Sequence, residues 1–204
     1  MTGYCFLSAV PMRREPSDRS EMVNQLLLGD TFTVIERQEK WSRIHCDYDG
    51  YEGWVDNKQY REGLPDSHTI LHTNTPYPTS PSAVALEKYL GAPYLWGGRT
   101  VMGIDCSGLT QICFKACGRA LLRDASQQAT QGSLVASLND AQRDDLCFFC
   151  NSEGRIIHVG IYLGDGKIVH SSGQVRIDTL TPSGIVNDDT QQITHTLHSI
   201  RRIA

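Results

Sequence analysis

Gly103-Ile104-Asp105-Cys106-Ser107-Gly108-Leu109 reads as a loop that turns into a helix, with a cysteine at the first helical position. Leu109, Ile112, Cys113, Ala116 and Cys117 recur at i, i+3, i+4, i+7 and i+8, one apolar stripe of a helix. Gly118 stands where that helix should end, since glycine readily takes the left-handed conformation that closes a last turn. Asp105 is the expected N-cap, its carboxylate accepting from a free first-turn amide. This spacing puts the sulfur of Cys106 at a helix N-terminus on the side facing the core. There the unpaired amides and the helix dipole favour thiolate, and with a neighbouring imidazolium they bring cysteine pKa values to roughly 3.5–7.5. The same amides would hold the oxyanion formed when sulfur attacks a carbonyl. From the helix alone, a buried structural cysteine is as good a reading.

Two histidines downstream bear on that choice. His158-Val159-Gly160-Ile161-Tyr162-Leu163 and Lys167-Ile168-Val169-His170-Ser171-Ser172 read as strands either side of Gly164-Asp165-Gly166. A three-residue loop pairs Leu163 with Lys167 and His158 with Ser172. Even-numbered residues then share one face, and His158 and His170 become diagonal neighbours roughly 7–8 Å apart. A two-residue loop without a bulge would put them on opposite faces. A cysteine beside two imidazoles supplies a nucleophile, a base and a group that orients the base. A metal site at Cys106, His158 and His170 would need a ligand set that the spacing does not specify, so no metal and no organic cofactor is expected. His45, His68, His72, His195 and His198 are read as ordinary surface or core histidines.

Upstream, residues 1–62 read as short strands separated by turns: Phe6–Val10, Thr31–Glu36, Trp41–Cys46 and, after the Asp49-Gly50 turn, Tyr51–Val55. That pattern suggests a small all-β barrel, with Trp41 and Trp54 either in its core or walling a groove. Residues 63–80, with Pro65, Pro76 and Pro78 among Gly, Ser, Thr and Asn, read as a linker. Ser80-Pro81 opens a helix that Gly91 and Pro93 end. Arg123-Asp124-Ala125-Ser126-Gln127-Gln128 opens a short polar helix or loop. From Asp145 on, the pattern is strands, including Leu146–Cys150 and a last one near the C-terminus. Helices first and antiparallel strands after argue α+β for residues 81–204.

The 204 residues carry a net charge of −4, which excludes an electrostatic nucleic-acid binder, and no run approaches the ~18 apolar residues of a membrane span. The start lacks a basic region, and Pro11-Met12-Arg13-Arg14 cuts its apolar run short, so no signal peptide is expected. Seven cysteines show no disulfide spacing, and Cys147 and Cys150 alternate to opposite faces of a strand without a second pair. The expected compartment is the reducing cytoplasm, the alternative being a secreted or periplasmic protein that has lost a leader.

Pro93-Tyr94-Leu95-Trp96-Gly97-Gly98, Asp105-Cys106-Ser107-Gly108-Leu109, Asp145-Leu146-Cys147-Phe148-Phe149 and His158–Gly164 followed by Ile168-Val169-His170 occur in an order that resembles the NlpC-type cysteine peptidases of bacterial cell-wall turnover. The order Gly29-Asp30, Val34-Ile35, Trp41 and Gly50–Val55 resembles bacterial SH3 domains. Together they resemble the γ-D-glutamyl-L-diamino acid endopeptidases that recycle murein peptides. The resemblance implies a papain-like domain after an SH3-like barrel and a Cys106, His158, His170 triad. It further implies a murein-peptide substrate with a free N-terminal L-alanine, cut after γ-D-glutamate. Tyr94 would donate to the oxyanion. Trp96, Asp105 and Ser107 would line the pocket for the alanine, Asp105 pairing its ammonium unless it serves only as a cap. Asp124 and Ser126 would line the substrate. The family usually has glycine where this chain has Asp144, a difference at a turn. The same triad also suits acyl transfer to an amine, and a non-catalytic peptidoglycan-binding protein is the remaining alternative.

Overall fold

The computed structural model describes residues 1–66 and 80–204. Most of the expected 63–80 linker thus lies outside the described residues. The chain divides into two units, Met1–Pro76 with Trp96–Thr100, and Tyr77–Leu95 with Val101–Ala204.

The first unit is all-β. Strands β1 (Thr2–Tyr4), β2 (Ala9–Arg13), β3 (Met22–Leu27), β4 (Thr31–Arg37), β5 (Trp41–Cys46), β6 (Glu52–Asp56) and β7 (Arg61–Glu62) pair antiparallel in the order β3-β2-β6-β5-β4-β1-β7. Alternation builds the core. In β5, Ser42, Ile44 and Cys46 point inward and Arg43 and His45 outward, and Ile44 packs with Val10, Met12, Leu26, Phe32 and Val55. Trp54 is buried and Trp41 half-buried. Strand β3 escapes a reading by hydrophobic period because Asn24, at an inward position, is fully buried. The first expected strand also shifts, from Phe6–Val10 to Ala9–Arg13. Trp96–Thr100, which includes β8 (Arg99–Thr100), groups with this unit through polar contacts. Trp96 Nε1 donates to Glu21 Oε1 at 2.7 Å, and buried Arg99 donates to the Gln25 carbonyl at 2.8 Å and Asp30 Oδ2 at 3.1 Å. Gly97, at φ 77°, lies where a Cβ would stand 2.6 Å from the Met22 carbonyl oxygen, so only glycine lets the backbones approach.

The second unit opens with α1 (Pro81–Val84), capped by the Ser80 hydroxyl, which runs into a π turn over Ala85–Tyr89. After β9 (Gly103–Ile104) come α2 (Cys106–Ala116) and α3 (Ala125–Gln128), then β10 (Ser133–Val135), β11 (Leu146–Cys150), β12 (Ile156–Gly164), β13 (Lys167–Ser172), β14 (Gln174–Thr181), β15 (Gly184–Val186) and β16 (Ile193–Arg202). These strands lie in the order β10-β16-β11-β12-β13-β14-β15, and β15 also pairs with β16, closing a barrel. One edge of β16 is shared, with β15 along Ile193–Thr196 and β10 along Ile200–Arg202.

Strand alternation divides this unit's core in two. Val159, Ile161 and Val169 face the helices and pack with Leu109, Cys113 and Phe114 of α2. Tyr162 and Ile168 face the barrel interior with Cys147, Phe149, Leu180, Ile185 and Ile200. Helix α2 ends as expected, with Gly118 at φ 76°, although Phe114 rather than Ile112 completes its fully buried stripe. No helix among the described residues is long and apolar enough to cross a membrane.

Candidate active site

Cys106 is the first residue of α2. Asp105 precedes it in extended conformation, and its Oδ1 accepts from the Gly108 amide at 2.6 Å. The cap is the expected one, but it is not all that Asp105 does. Arg123, fully buried, donates through Nη1 to Asp105 Oδ1 at 3.0 Å, through Nη2 to Oδ2 at 2.6 Å, and through Nη1 to Ser107 Oγ at 2.9 Å. A planar fork against a carboxylate fixes distance and angle together. The loop before α2 is tied to β13 by Ser171 Oγ, which donates to the Ile104 carbonyl at 2.8 Å. Gln128 of α3 holds the first turn by donating to the Ser107 carbonyl at 3.0 Å.

The Cys106 residue is 6% exposed, and its sulfur accepts from the backbone amides of Val159 and Ser107. Burial pushes its thiol up to about 12, and the Asp105 charge adds to this. The two amides and Arg123 act in the opposite direction without prevailing. Burial thus opposes the thiolate that the helix terminus favours.

Strands β12 and β13 carry the two histidines. Gly160 pairs with His170 and Tyr162 with Ile168, the anticipated register. The loop itself is shorter than expected: Gly164 pairs with Lys167 across Asp165 and Gly166, both at positive φ, and a bulge at Leu163 restores the parity. His158 and His170 accordingly share a face, with His158 Nε2 and His170 Nδ1 2.8 Å apart and the rings edge to face. Val159 lies next to His158 in sequence, so the amide bond to sulfur brings Cys106 to the same strand position.

Sequence reasoning left three participants unread. Asp178 Oδ2 stands 2.9 Å from His170 Nε2, and both residues are 1% exposed. Arg176 donates to Asp178 through Nε at 2.8 Å and Nη2 at 2.8 Å, and the Asp188 amide donates to Oδ1 at 2.9 Å. Burial alone would raise the Asp178 pKa, but the bonds from His170 and Arg176 prevail and hold the carboxyl well below its usual range. The signal was the register of β14: His170 opposes Arg176 and Ile168 opposes Asp178, so all share the face carrying His158. The third participant, His195 on β16, stacks on His158 with ring centroids 4.1 Å apart, against its reading as an ordinary histidine. Burial, then the nearby His195 and His170, keep His158 well below 6.5, and burial with His170 lowers His195 to about 4.

The other expected residues divide. Tyr94 stands in an isolated bridge with Ile104, and its hydroxyl is pushed up to about 12, chiefly by burial, with smaller electrostatic contributions from Cys106 and Asp105. Ser107 is buried against Arg123. Asp124 is half-buried at the start of α3, its amide donating to Gln127 Oε1 at 3.0 Å, and Ser126 is exposed on that helix. Trp96 belongs with the first unit. Among the described residues no three His, Cys, Asp or Glu side chains are placed to hold a metal ion.

Residues 91–194 match the NlpC/P60 family, and residues 12–59 match the bacterial dipeptidyl-peptidase Sh3 domain. The gamma-D-glutamyl-L-lysine dipeptidyl-peptidase of Bacillus subtilis is 47% identical over 98 residues, which are 46% of this chain and 33% of that protein. Its namesake from Bacillus cereus is 36% identical over 98 residues, 47% of this chain and 29% of that protein. The chain thus spans about a third of the length of these relatives. The crystal structure of an NlpC/P60 family protein from Bacillus cereus has the same fold, with a TM-score of 0.81 over 100% of this chain and 99% of that one at 19% identity.

Proposed function

Because the chain belongs to the NlpC/P60 family, we propose that it is a cysteine peptidase that hydrolyses the bond between γ-D-glutamate and a diamino acid in murein peptides with a free N-terminal L-alanine. What supports this reading is a helix-start sulfur bonded to the Val159 amide, one residue along the chain from a histidine that is hydrogen-bonded to a second on the same hairpin. The relatives' names supply the substrate class.

In this mechanism His158, neutral at rest, takes the Cys106 proton as sulfur bonds to the γ-glutamyl carbonyl carbon. Deprotonation accompanies attack, because a thiol raised by burial is not ionised beforehand. Tyr94 and the amides at the start of α2 steady the oxyanion. The C–N bond breaks, and His158 gives its proton to the departing amine. Water, deprotonated by His158, then attacks the thioester and releases the glutamate carboxylate, returning the proton to sulfur. Asp105 and Ser107, held by Arg123, form one wall of the pocket for the alanine end, and Asp124 and Ser126 lie further along. The proposed compartment is the cytoplasm, which suits seven free thiols.

The test is mass spectrometry of L-Ala-γ-D-Glu-diaminopimelate and its lysine counterpart, each with and without N-acetylation. Cleavage of the free peptides, its loss in Cys106→Ala and poor turnover of the acetylated ones are expected. Unchanged turnover by Cys106→Ala would overturn the mechanism. Product joined to an added amine would mark acyl transfer instead, and affinity for sacculi without cleavage would mark a binding protein.

A further inference from the structure

We infer that Asp178 is a fourth member of the relay, a positioning residue that decides which nitrogen of His158 is left bare to receive the Cys106 proton. The inference rests on the catalytic reading of Cys106, His158 and His170 given above.

It follows from donor and acceptor accounting. Asp178 receives three donors besides His170: Arg176 Nε, Arg176 Nη2 and the Asp188 amide. A carboxylate held in this way is ionised, and an ionised carboxylate only accepts. His170 Nε2, 2.9 Å from Oδ2, must therefore carry a hydrogen and donate it. With one N–H on the ring, and that one on Nε2, His170 Nδ1 is an acceptor. The 2.8 Å contact between the rings is then a bond donated by His158 Nε2 to His170 Nδ1. The remaining nitrogen of His158, Nδ1, is left with a free lone pair. One negative charge thus sets the tautomer two rings away. When Nδ1 takes a proton, the ring becomes an imidazolium whose Nε2–H already points at an acceptor, so no bond in the relay has to reverse.

Without the charge, the opposite order is equally well bonded: His170 Nδ1–H donates to His158 Nε2, and the only hydrogen of His158 sits on Nδ1. That tautomer cannot accept a proton there. With His170 and Asp178 both 1% exposed, water does not compete for these bonds. The charged and titratable groups around Asp178 and the two rings are Arg176 on β14, His195 on β16, Asp188 and, through Arg176, Asp189.

Two measurements on the whole chain test this. Long-range proton–nitrogen spectra of the 15N-labelled wild-type protein near neutral pH should show hydrogen on Nε2 of both His158 and His170 and none on either Nδ1. Any other pattern overturns the inference, whatever the activity. The second uses Asp178→Asn. At the Oδ1 position the new amide NH2 would meet two donors, Arg176 Nη2 and the Asp188 amide, and at the Oδ2 position only Arg176 Nε, so it turns toward His170 and donates to Nε2, reversing the order. Expected are a fall in kcat of roughly 10–100-fold with KM within about twofold, and a hydrogen on His158 Nδ1. A kcat within about twofold of wild type, or a fall in kcat with the tautomers unchanged, overturns the positioning role. If Asp178→Asn does not fold, the wild-type spectrum decides alone. Activity retained by Cys106→Ala would remove the catalytic reading while leaving the tautomers readable, so the two failures are distinct.

Discussion

Burial pushes the Cys106 thiol up and the His158 imidazole down, so it favours the neutral form of each. This sets the pH behaviour of the sulfur. With the thiol pushed up to about 12, iodoacetamide labelling of Cys106 should quicken steadily through pH 9, followed by peptide mass spectrometry. A plateau near neutrality would instead reveal a preformed thiolate–imidazolium pair. Gly160 matters at the same scale. A Cβ there would stand 2.8 Å from Ile168 Cδ1 and 3.0 Å from His170 Cβ, so Gly160→Ala must push on the ring that holds His158. Misplacement by a fraction of an ångström at a reacting centre is costly, and a loss of about tenfold or more in kcat is expected with the fold retained by circular dichroism.

Two elements owe their placement to single side chains. Arg123 joins the segment before α3 to the first turn of α2 by forking onto Asp105 and Ser107. Removing one partner of a buried ion pair strands the other, so Arg123→Met should lower stability by about 3–5 kcal/mol in urea titration. Asp144 adopts φ 75° and bonds the start of α1, accepting from the Ser82 amide at 2.8 Å and Ser80 Oγ at 2.9 Å. Its two effects oppose each other: the left-handed backbone costs about 1 kcal/mol, and the cap contributes about 0.5–2 kcal/mol. Asp144→Gly should therefore be close to neutral in thermal unfolding, while Asp144→Ala, which keeps the strain and loses the cap, should be distinctly less stable. These elements also show what was legible in the sequence. The cysteine helix was, since its stripe, cap and terminal glycine agree. The pairing that puts both histidines on one face was as well, although its loop was not, since the bulge at Leu163 has no mark in the sequence. Strand β14 was not: Arg176 and Asp178 point inward, where a hydrophobic period predicts apolar residues, so the relay hid in a polar alternation. His195 was hidden by distance, because nothing local announces that β16 returns beside β15.

Across the whole molecule, buried neutral imidazoles make stability depend on acidity. His158 and His195 bind protons less readily folded than unfolded, where the value is 6.5. Below that pH the unfolded chain carries more protons, so stability falls as pH drops from about 6.5 toward 4. Asp178 acts with the same sign further down: its depressed pKa gives stability present above 3.8 and lost as pH falls below it. The melting temperature should be level between about pH 7 and 8 and decline below 6.5, with a shallower decline in His195→Phe. A melting temperature unchanged between pH 7 and 4.5 would contradict the assignment.

The seam between β15 and β16 has a bearing on biosynthesis. Ile193–Arg202 pairs with β11 on one edge and with β10 and β15 on the other, and it delivers His195 to the ring of His158. A nascent polypeptide still missing that segment can neither close the barrel nor cover the imidazole. Until Ile193–Arg202 has emerged and folded back, the stacked pair of rings does not exist, however early Cys106 has emerged.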